Sequence, residues 1–148
     1  MCGLSNKQTC ANDTHKKATR VAIVTNMPTP YRIPIFQKLA NHYGTTNFKV
    51  IYCTEKECNR DWLLDQDGFD LTYLKENAVT WKNRFIHFNF DVLKALTTYK
   101  PDIIITTGFY PTSLIAFAYT LFFTKKHIAW TDGTINSEQT LSVVLIVP

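Results

Sequence analysis

The feature that most constrains the fold is the segment at residues 21–36, VAIVTNMPTPYRIPIF. The short β-branched and apolar run at its start predicts a strand, and two prolines stiffen the loop that follows. A helical pattern then opens near Arg32. In open α/β sheets, ligands bind just beyond the carboxyl ends of the strands. The loop at residues 26–32 is therefore the first candidate for a functional site.

The rest of the pattern predicts an α/β fold. Apolar residues recur at three- and four-residue spacing in residues 33–43 and 91–99, which predicts two amphipathic helices. Pro111 suits the first turn of a third helix. Further strand-like runs lie at residues 48–53, 69–74, 102–107 and 127–131. The order β-α-β-β-α-β-α-β predicts a Rossmann-like open, mainly parallel sheet with helices on both faces, while residues 81–89 have no firm assignment.

Length and end composition predict one domain with a tail. The chain has 148 residues, enough for one domain with a substantial core. Residues 1–19 are polar and without an apolar signal region, which predicts a disordered tail. Residues 20–148 form the expected single domain. Because LSVVLIVP ends inside an apolar run, that domain is expected to be truncated at its carboxyl-terminal end.

Charge and cysteine usage exclude several classes of function. The net charge is +4, but the basic residues are scattered, so no nucleic-acid partner is expected. The four cysteines form no CxxC pair, and reduced thiols suit a cytoplasmic protein. The apolar residues 109–123 are fewer than the roughly 18 that span a bilayer, so a helix buried against the sheet is expected. No transmembrane segment is predicted, and peripheral contact with the inner face of a membrane stays open.

Three loops are expected to meet at the carboxyl edge of the sheet: residues 26–32, 107–112 and 131–134. Arg32 would place a fixed charge beside a helix N-terminus that attracts anions, or it is a solvated first-turn arginine. Asp132 is the one carboxylate in these loops; it is either a general base or part of an Asp-Gly turn. Hydroxyl groups suited to sugar or phosphate contacts, or to helix capping, are those of Thr107, Tyr110 and Ser113.

Common nucleotide and hydrolase motifs are absent from the sequence. No GxGxxG follows the first strand and no GxxxxGK[ST] occurs, so a dinucleotide fingerprint and a P-loop are both excluded. No GxSxG elbow or HExxH helix is present. The cysteine and histidine spacing matches no zinc signature, and neither a metal site nor a cofactor is expected.

Three segments carry a family resemblance: VAIVTNMPTPYRIPIFQKLA, PDIIITTGFYPTS and HIAWTDGTINSE. Together they resemble the amino-terminal half of family-four-like glycosyltransferases, which have the two-domain GT-B architecture. The resemblance spans residues 20–141 and depends mainly on the PTPYR loop and the PDxxI…G strand.

The resemblance implies a transferase that moves a sugar from a nucleotide-sugar donor to the hydroxyl of an acceptor glycan or lipid-linked sugar. In such enzymes this half shapes the acceptor side of the cleft, and a metal is generally not required. Asp132 would be the catalytic residue. The substrate-binding residues carried over from the family are Pro30, Tyr31, Arg32, Gly108, Tyr110, Thr112 and Gly133.

The sequence also departs from the family pattern. Its first loop has Met27 and Pro28 where many relatives have a glycine pair, and residues 108–111 lack a histidine that many relatives have. The whole second domain is missing, so the chain alone is expected to be inactive. It is either a truncated domain or one that awaits a separately encoded carboxyl-terminal half. Two alternatives remain: a non-catalytic α/β binding or interaction module with residues 141–147 as its contact surface, and a small-molecule enzyme with a flavodoxin-like fold.

Overall fold

The structure, a computed structural model, describes residues 18–55, 68–75, 78–81 and 84–131, with the backbone alone at 78–81 and 84–87. The predicted helices and strands within this range are present, and the strand bounds differ from prediction by at most one residue at either end. In chain order the elements are β1 (Val21–Thr25), α1 (Ile33–Tyr43), β2 (Phe48–Tyr52), β3 (Asp70–Tyr73), β4 (Ala78–Trp81), β5 (Arg84–His87), α2 (Asp91–Tyr99), β6 (Ile103–Thr107), α3 (Pro111–Phe122) and β7 (Lys126–Trp130).

Five strands form one parallel sheet in the order β3-β2-β1-β6-β7, which confirms the predicted Rossmann-like fold. From β1 the chain first builds outward through β2 to β3, and it then returns to the other side of β1 to add β6 and β7. The strand order therefore reverses between β1 and β6. In sheets of this kind a crevice opens at that switch point, outside the carboxyl ends of the two strands.

A separate antiparallel hairpin joins β4 to β5, with Ala78 opposite His87 and Trp81 opposite Arg84. It occupies part of the stretch that the sequence pattern left unassigned. A two-stranded hairpin is marginal alone and depends on contacts with the rest of a fold. Here the hairpin leads directly into the buried Asn89 and α2.

Alternation along the strands divides the core between the two faces of the sheet. On one face, Val21 and Ile23 pack against α1 through the fully buried Phe36. The Phe36 ring meets the rings of Phe48, Phe69 and Trp130 at centroid distances of 6.3, 5.9 and 6.5 Å. On the other face, a cluster that includes Val24, Leu96 and Ala116 packs beneath α2 and α3. Helices thus cover both faces, as predicted.

The expectation that residues 109–123 form a buried helix is only half right. The inner side of α3 consists of small and hydroxyl-bearing residues such as Ser113 and Ala116, whereas Leu114, Leu121 and Phe122 are 58, 66 and 84% exposed. The helix does lie against the sheet, as expected, but only its inner side is buried, and the outer side stays apolar and exposed. Among the helices in the described ranges, none has the length and apolar character that crossing a membrane requires.

Candidate functional site

The last residues of the five parallel strands form a continuous row across the sheet, here called the terminal row. Strand register pairs Thr25 with Tyr52, Tyr52 with Tyr73, and Thr107 with Trp130. A hydrogen bond of 2.8 Å from the Thr107 hydroxyl to Thr25 Oγ1 closes the row at the switch point. Alternation places these side chains on the α1 face of the sheet, in line with Ile23 and Ile105. Two threonines at the centre of the row are thus flanked by aromatic rings.

The guanidinium of Arg32 lies at the centre of the terminal row. Its Nη1 donates to Thr25 Oγ1 at 2.9 Å and to Thr107 Oγ1 at 3.2 Å, so that one side chain bridges the ends of β1 and β6. The guanidinium carbon is 5.3 Å from the centre of the Trp130 ring and 5.6 Å from that of Tyr31, within the range of cation–π attraction. The charge therefore has a fixed position at the switch point.

The PTPYR loop explains why Arg32 reaches this position. The backbone N–H groups of Arg32 and Ile33 both donate to the Thr29 carbonyl, at 3.1 and 3.3 Å, which closes a tight turn before α1. Pro34 occupies the first turn of the helix, where its missing N–H would have had no partner. Arg32 is then the N-cap residue, and no side chain caps this end.

A cation at a helix N-terminus opposes the helix dipole, which favours negative charge there. Arg32 nevertheless occupies this position at α1, whose first turn contains no acidic residue. The helix end and the guanidinium together make the switch point electropositive. A ligand with phosphate or several hydroxyl oxygens suits such a site.

Exposed aromatic rings stand on the loops on either side of the switch point. Tyr31 is 61% exposed on the loop after β1, and Phe109 is 76% exposed on the loop after β6. Gly108 has φ +79°, a left-handed conformation that glycine adopts without strain, and it turns the chain out of β6 before the exposed Phe109. Large exposed rings at a sheet edge offer apolar contact area to a bound ligand.

The switch point thus combines a fixed cation, two hydroxyl groups and nearby exposed rings. Comparisons with protein-family models, with curated proteins and with solved structures find no match for this chain. The function is therefore argued from the site itself.

The predicted site residues fall into three groups. Pro30 and Tyr31 are exposed at the switch point and Arg32 is half-buried there. Gly108 and Tyr110 are half-buried on the loop after β6, and Thr112 is fully buried beneath it. The loops after β1 and β6 therefore meet, as expected, through the Arg32–Thr107 hydrogen bond. Asp132 and Gly133 lie outside the described residues, as do residues 1–17 of the predicted tail.

Asn89 organises this end of the molecule, although no motif or periodicity in the sequence marks it. Its side-chain amide donates to the carbonyl oxygens of Cys53 and Lys75, which follow β2 and β3. Its Oδ1 accepts from the Thr112 hydroxyl at 3.2 Å, and its backbone N–H donates to the same Thr112 oxygen at 3.1 Å. One buried asparagine thus ties the ends of two strands to the first turn of α3. A buried asparagine is expected to have such partners, but only the fold shows that Asn89 is buried.

Burial raises the pKa values of three titratable side chains near the carboxyl ends of the strands, those of Cys53, Tyr110 and Tyr52. It raises the pKa of the Cys53 thiol to about 11, and the neighbouring Thr112 and Tyr110 hydroxyls offset only part of that effect. Burial also raises the pKa of Tyr110, with the nearby Cys53 as the next cause. The pKa of Tyr52 in the terminal row is raised by burial and by Tyr73, and lowered less by Arg32. These groups are neutral at physiological pH, which makes Cys53 a poor nucleophile.

Cys53 is therefore expected to resist alkylation in the folded protein. Its thiol is fully buried and its pKa is about 11 instead of 9.0, so at pH 8 its thiolate is about 100-fold scarcer than in the unfolded chain. Because the unfolded thiol ionises first, the Cys53 contribution to stability is present below pH 9 and is lost as the pH rises toward 11.

Iodoacetamide labelling, read by mass spectrometry on the peptide that contains Cys53, measures this protection. The expected result is labelling at least about 100-fold slower in native buffer than in urea at the same pH. A Cys53→Ser variant identifies the peptide signal. Equal rates in the two conditions would show that Cys53 is accessible, contrary to its position in the structure.

Potential metal ligands do not cluster in the described part of the chain. No group of three or more histidine, cysteine, aspartate or glutamate side chains there could bind a metal ion. His127, on β7, contacts the Thr106 hydroxyl at 3.0 Å and the Phe117 ring at 4.9 Å. Burial lowers its pKa, and no carboxylate contact orients its ring within the described residues.

Proposed function

We propose that the chain is the amino-terminal, acceptor-side domain of a GT-B glycosyltransferase. It would transfer a sugar from a nucleotide-sugar donor to an acceptor hydroxyl once a second domain completes the cleft. The observation that carries the proposal is the position of Arg32, which bridges Thr25 and Thr107 at the switch point of the sheet. The resemblance of the three loop segments to family-four-like glycosyltransferases supports the same function.

The geometry around Arg32 suits a sugar ligand. Polar groups that fix orientation, set among larger apolar surfaces, are typical of small-molecule sites. Here the guanidinium and the α1 N-terminus would attract acceptor hydroxyls or a phosphate, while the Tyr31 and Phe109 rings would pack against a sugar face. Asp132 is the proposed general base and Gly133 a proposed neighbour of the substrate, both on the sequence argument alone.

The proposed reaction needs two domains. A nucleotide-sugar is held between the halves of a GT-B enzyme, and only a closed cleft aligns donor and acceptor. The proposed partner is therefore a carboxyl-terminal half, and the proposed acceptor is a glycan or a lipid-linked sugar. We propose a cytoplasmic location, including contact with the inner face of a membrane where the acceptor is lipid-linked. The chain alone is expected to turn over no donor.

Acceptor binding can be tested on the chain as it is. A panel of methyl glycosides, titrated to tens of millimolar, is expected to shift the NMR signals of the Arg32 Nε–H and the Trp130 indole N–H. Tyr31→Ala and Phe109→Ala should each weaken this binding several-fold because both rings are exposed and contribute little to the core. Lys38→Gln is the matched control, since Lys38 is exposed on α1 away from the terminal row.

Transfer is tested by mixing nucleotide-sugar donors and the glycosides with the chain, with and without a family-four-like carboxyl-terminal half. Product is expected only when both halves are present. Turnover by the chain alone would overturn the two-half argument. Glycosides that shift no signal, or whose shifts persist unchanged in both aromatic variants, would overturn the acceptor site.

The apolar outer side of α3 favours a second candidate function, that of a non-catalytic binding or interaction module. Leu121 and Phe122 are largely exposed, and a contiguous exposed apolar surface often marks an interaction site. The earlier candidate surface at residues 141–147 lies outside the described residues. If the module self-associates through this surface, the double variant Leu121→Gln/Phe122→Gln should have the molar mass of a monomer by light scattering. Unchanged mass in that variant together with glycoside binding would favour the transferase domain.

A further inference from the structure

A second polar site lies on the face of the sheet opposite Arg32, between the edge strand β3 and helix α2. We call it the lysine groove, and its volume is about 490 Å³, within the size range of small-molecule pockets. Its lining residues include Lys49 on β2, Thr72 and Lys75 on and after β3, and Asp91, Lys94 and Thr98 on α2.

The groove forms because one side of α2 packs into the core while the adjacent side faces β3 without filling the space between them. Val92 and Leu96 pack into the core, whereas the lining residues on α2 follow the spacing of the adjacent helical stripe. Three of its five residues, Asp91, Lys94 and Thr98, are polar, so the stripe does not seal against β3. The space is open to solvent at its rim and apolar at its floor, where Leu74 is buried.

One lysine holds the groove together. The Lys49 side chain is only 19% exposed, and its Nζ lies 2.9 Å from Asp70 Oδ2. The same Nζ is 3.4 Å from Thr72 Oγ1 and 5.4 Å from the centre of the Tyr99 ring. Tyr99 is neutral, because burial and then Asp70 raise its pKa to about 12. The charge of Lys49 is thus already paired with that of Asp70, and its contacts hold β2, β3 and the end of α2 in place around the groove.

The two other lysines face the solvent and are available to a ligand. Lys75 and Lys94 are exposed, and within the described part of the chain neither forms an ion pair with a carboxylate. Asp91 is the one acidic side chain among the lining residues. Two ammonium groups of this kind attract an anion, and lysine binds phosphate as a point charge. The Thr72 and Thr98 hydroxyls add hydrogen-bonding partners for a polyol.

We propose that the lysine groove binds a small phosphate ester of a polar, hydroxyl-bearing compound such as a sugar phosphate. Lys75 and Lys94 hold the phosphate, and the threonine hydroxyls contact the polyol. A long polyanion is a poorer fit, because the groove is short and bounded by the length of β3 and α2. The site is independent of the proposed transferase function, because it lies on the other face of the sheet from Arg32.

Titration of the full chain with glucose 6-phosphate, followed by calorimetry and by NMR, tests this proposal. Binding is expected with shifts at Thr72, Lys94 and Thr98, while glucose without its phosphate should cause none of these. Lys75→Gln and Lys94→Gln are each expected to weaken binding by about tenfold, as loss of a charged hydrogen bond does. Both residues are exposed, so both variants should fold. Lys38→Gln makes the same charge change elsewhere and should leave affinity unchanged.

Absence of glucose 6-phosphate binding would overturn the proposal, and so would binding that neither lysine variant weakens. If the soluble ester does not bind but the chain co-sediments with vesicles containing phosphatidic acid, the phosphate belongs to a lipid surface. Shifts confined to Arg32, Tyr31 and Trp130 would count against the groove while leaving the acceptor site intact, so the two proposals can fail separately.

Discussion

Replacing Asn89 with alanine is expected to lower the free energy of unfolding by about 3 kcal/mol or more. The change removes the amide that donates to the carbonyl oxygens of Cys53 and Lys75 and the Oδ1 that accepts from the Thr112 hydroxyl. A polar group buried without a hydrogen bond costs roughly 1–3 kcal/mol, and the asparagine itself is fully buried. Urea denaturation measures the loss directly.

Two further variants separate hydrogen bonding from simple loss of volume. Asn89→Asp keeps the oxygen that accepts from Thr112 but sets a second oxygen against the Cys53 and Lys75 carbonyls, so it should destabilise at least as much as alanine. Asn41→Ala is the matched control on the exposed side of α1 and should change the free energy of unfolding by less than about 0.5 kcal/mol. A loss below about 1 kcal/mol for Asn89→Ala would contradict its role as the tie between strands and helix.

Periodicity along the chain predicted the regular elements because each of them reflects a local pattern. Continuous β-branched runs such as residues 102–107 are typical of parallel strands buried on both faces, and β6 does lie between β1 and β7. The spacing of apolar residues in α1 and α2 shows which side faces the core. Hairpin β4–β5 was missed because aromatic and basic residues without clear alternation fit several structures.

Asn89 could not be predicted in the same way, since its role depends on residues distant in sequence. Its partners Cys53, Lys75 and Thr112 lie 36, 14 and 23 positions away. No local window contains them all. Only the fold brings the ends of β2 and β3 and the start of α3 to one point, and a single buried amide then satisfies all three.

The candidate site was predicted in part. The sequence indicated that Arg32 would lie at the carboxyl edge of the sheet, because a helix that follows a parallel strand starts there. It did not indicate that Thr25 and Trp130 would surround the guanidinium. Trp130 ends β7, which lies two strands from β1 in the sheet and far along the chain, so its contact with Arg32 could be predicted only once strand order was known.

Replacing Arg32 with methionine is expected to lower the free energy of unfolding by about 2 kcal/mol and to abolish glycoside binding. Methionine retains an unbranched stem between Tyr31 and Trp130, but it loses both hydrogen bonds to the buried Thr25 and Thr107 hydroxyls. Arg32→Lys keeps the positive charge and loses the planar donor geometry. It should therefore recover part of the stability and little of the binding. Urea denaturation and the glycoside titration provide the two measurements.

A double-mutant cycle with Thr107→Val decides whether the stability effect comes from the bridge across the switch point. Valine has nearly the shape of threonine but cannot accept from the guanidinium or donate to Thr25. If the bridge is the cause, the two changes should be non-additive, with a coupling energy of about 1 kcal/mol. Lys38→Met is the control for loss of a cation on α1. Its effect on the free energy of unfolding should simply add to that of Thr107→Val. If the free-energy changes of Arg32→Met and Thr107→Val are additive, the guanidinium does not bridge the two strand ends. The switch point would then have no cation fixed in that position.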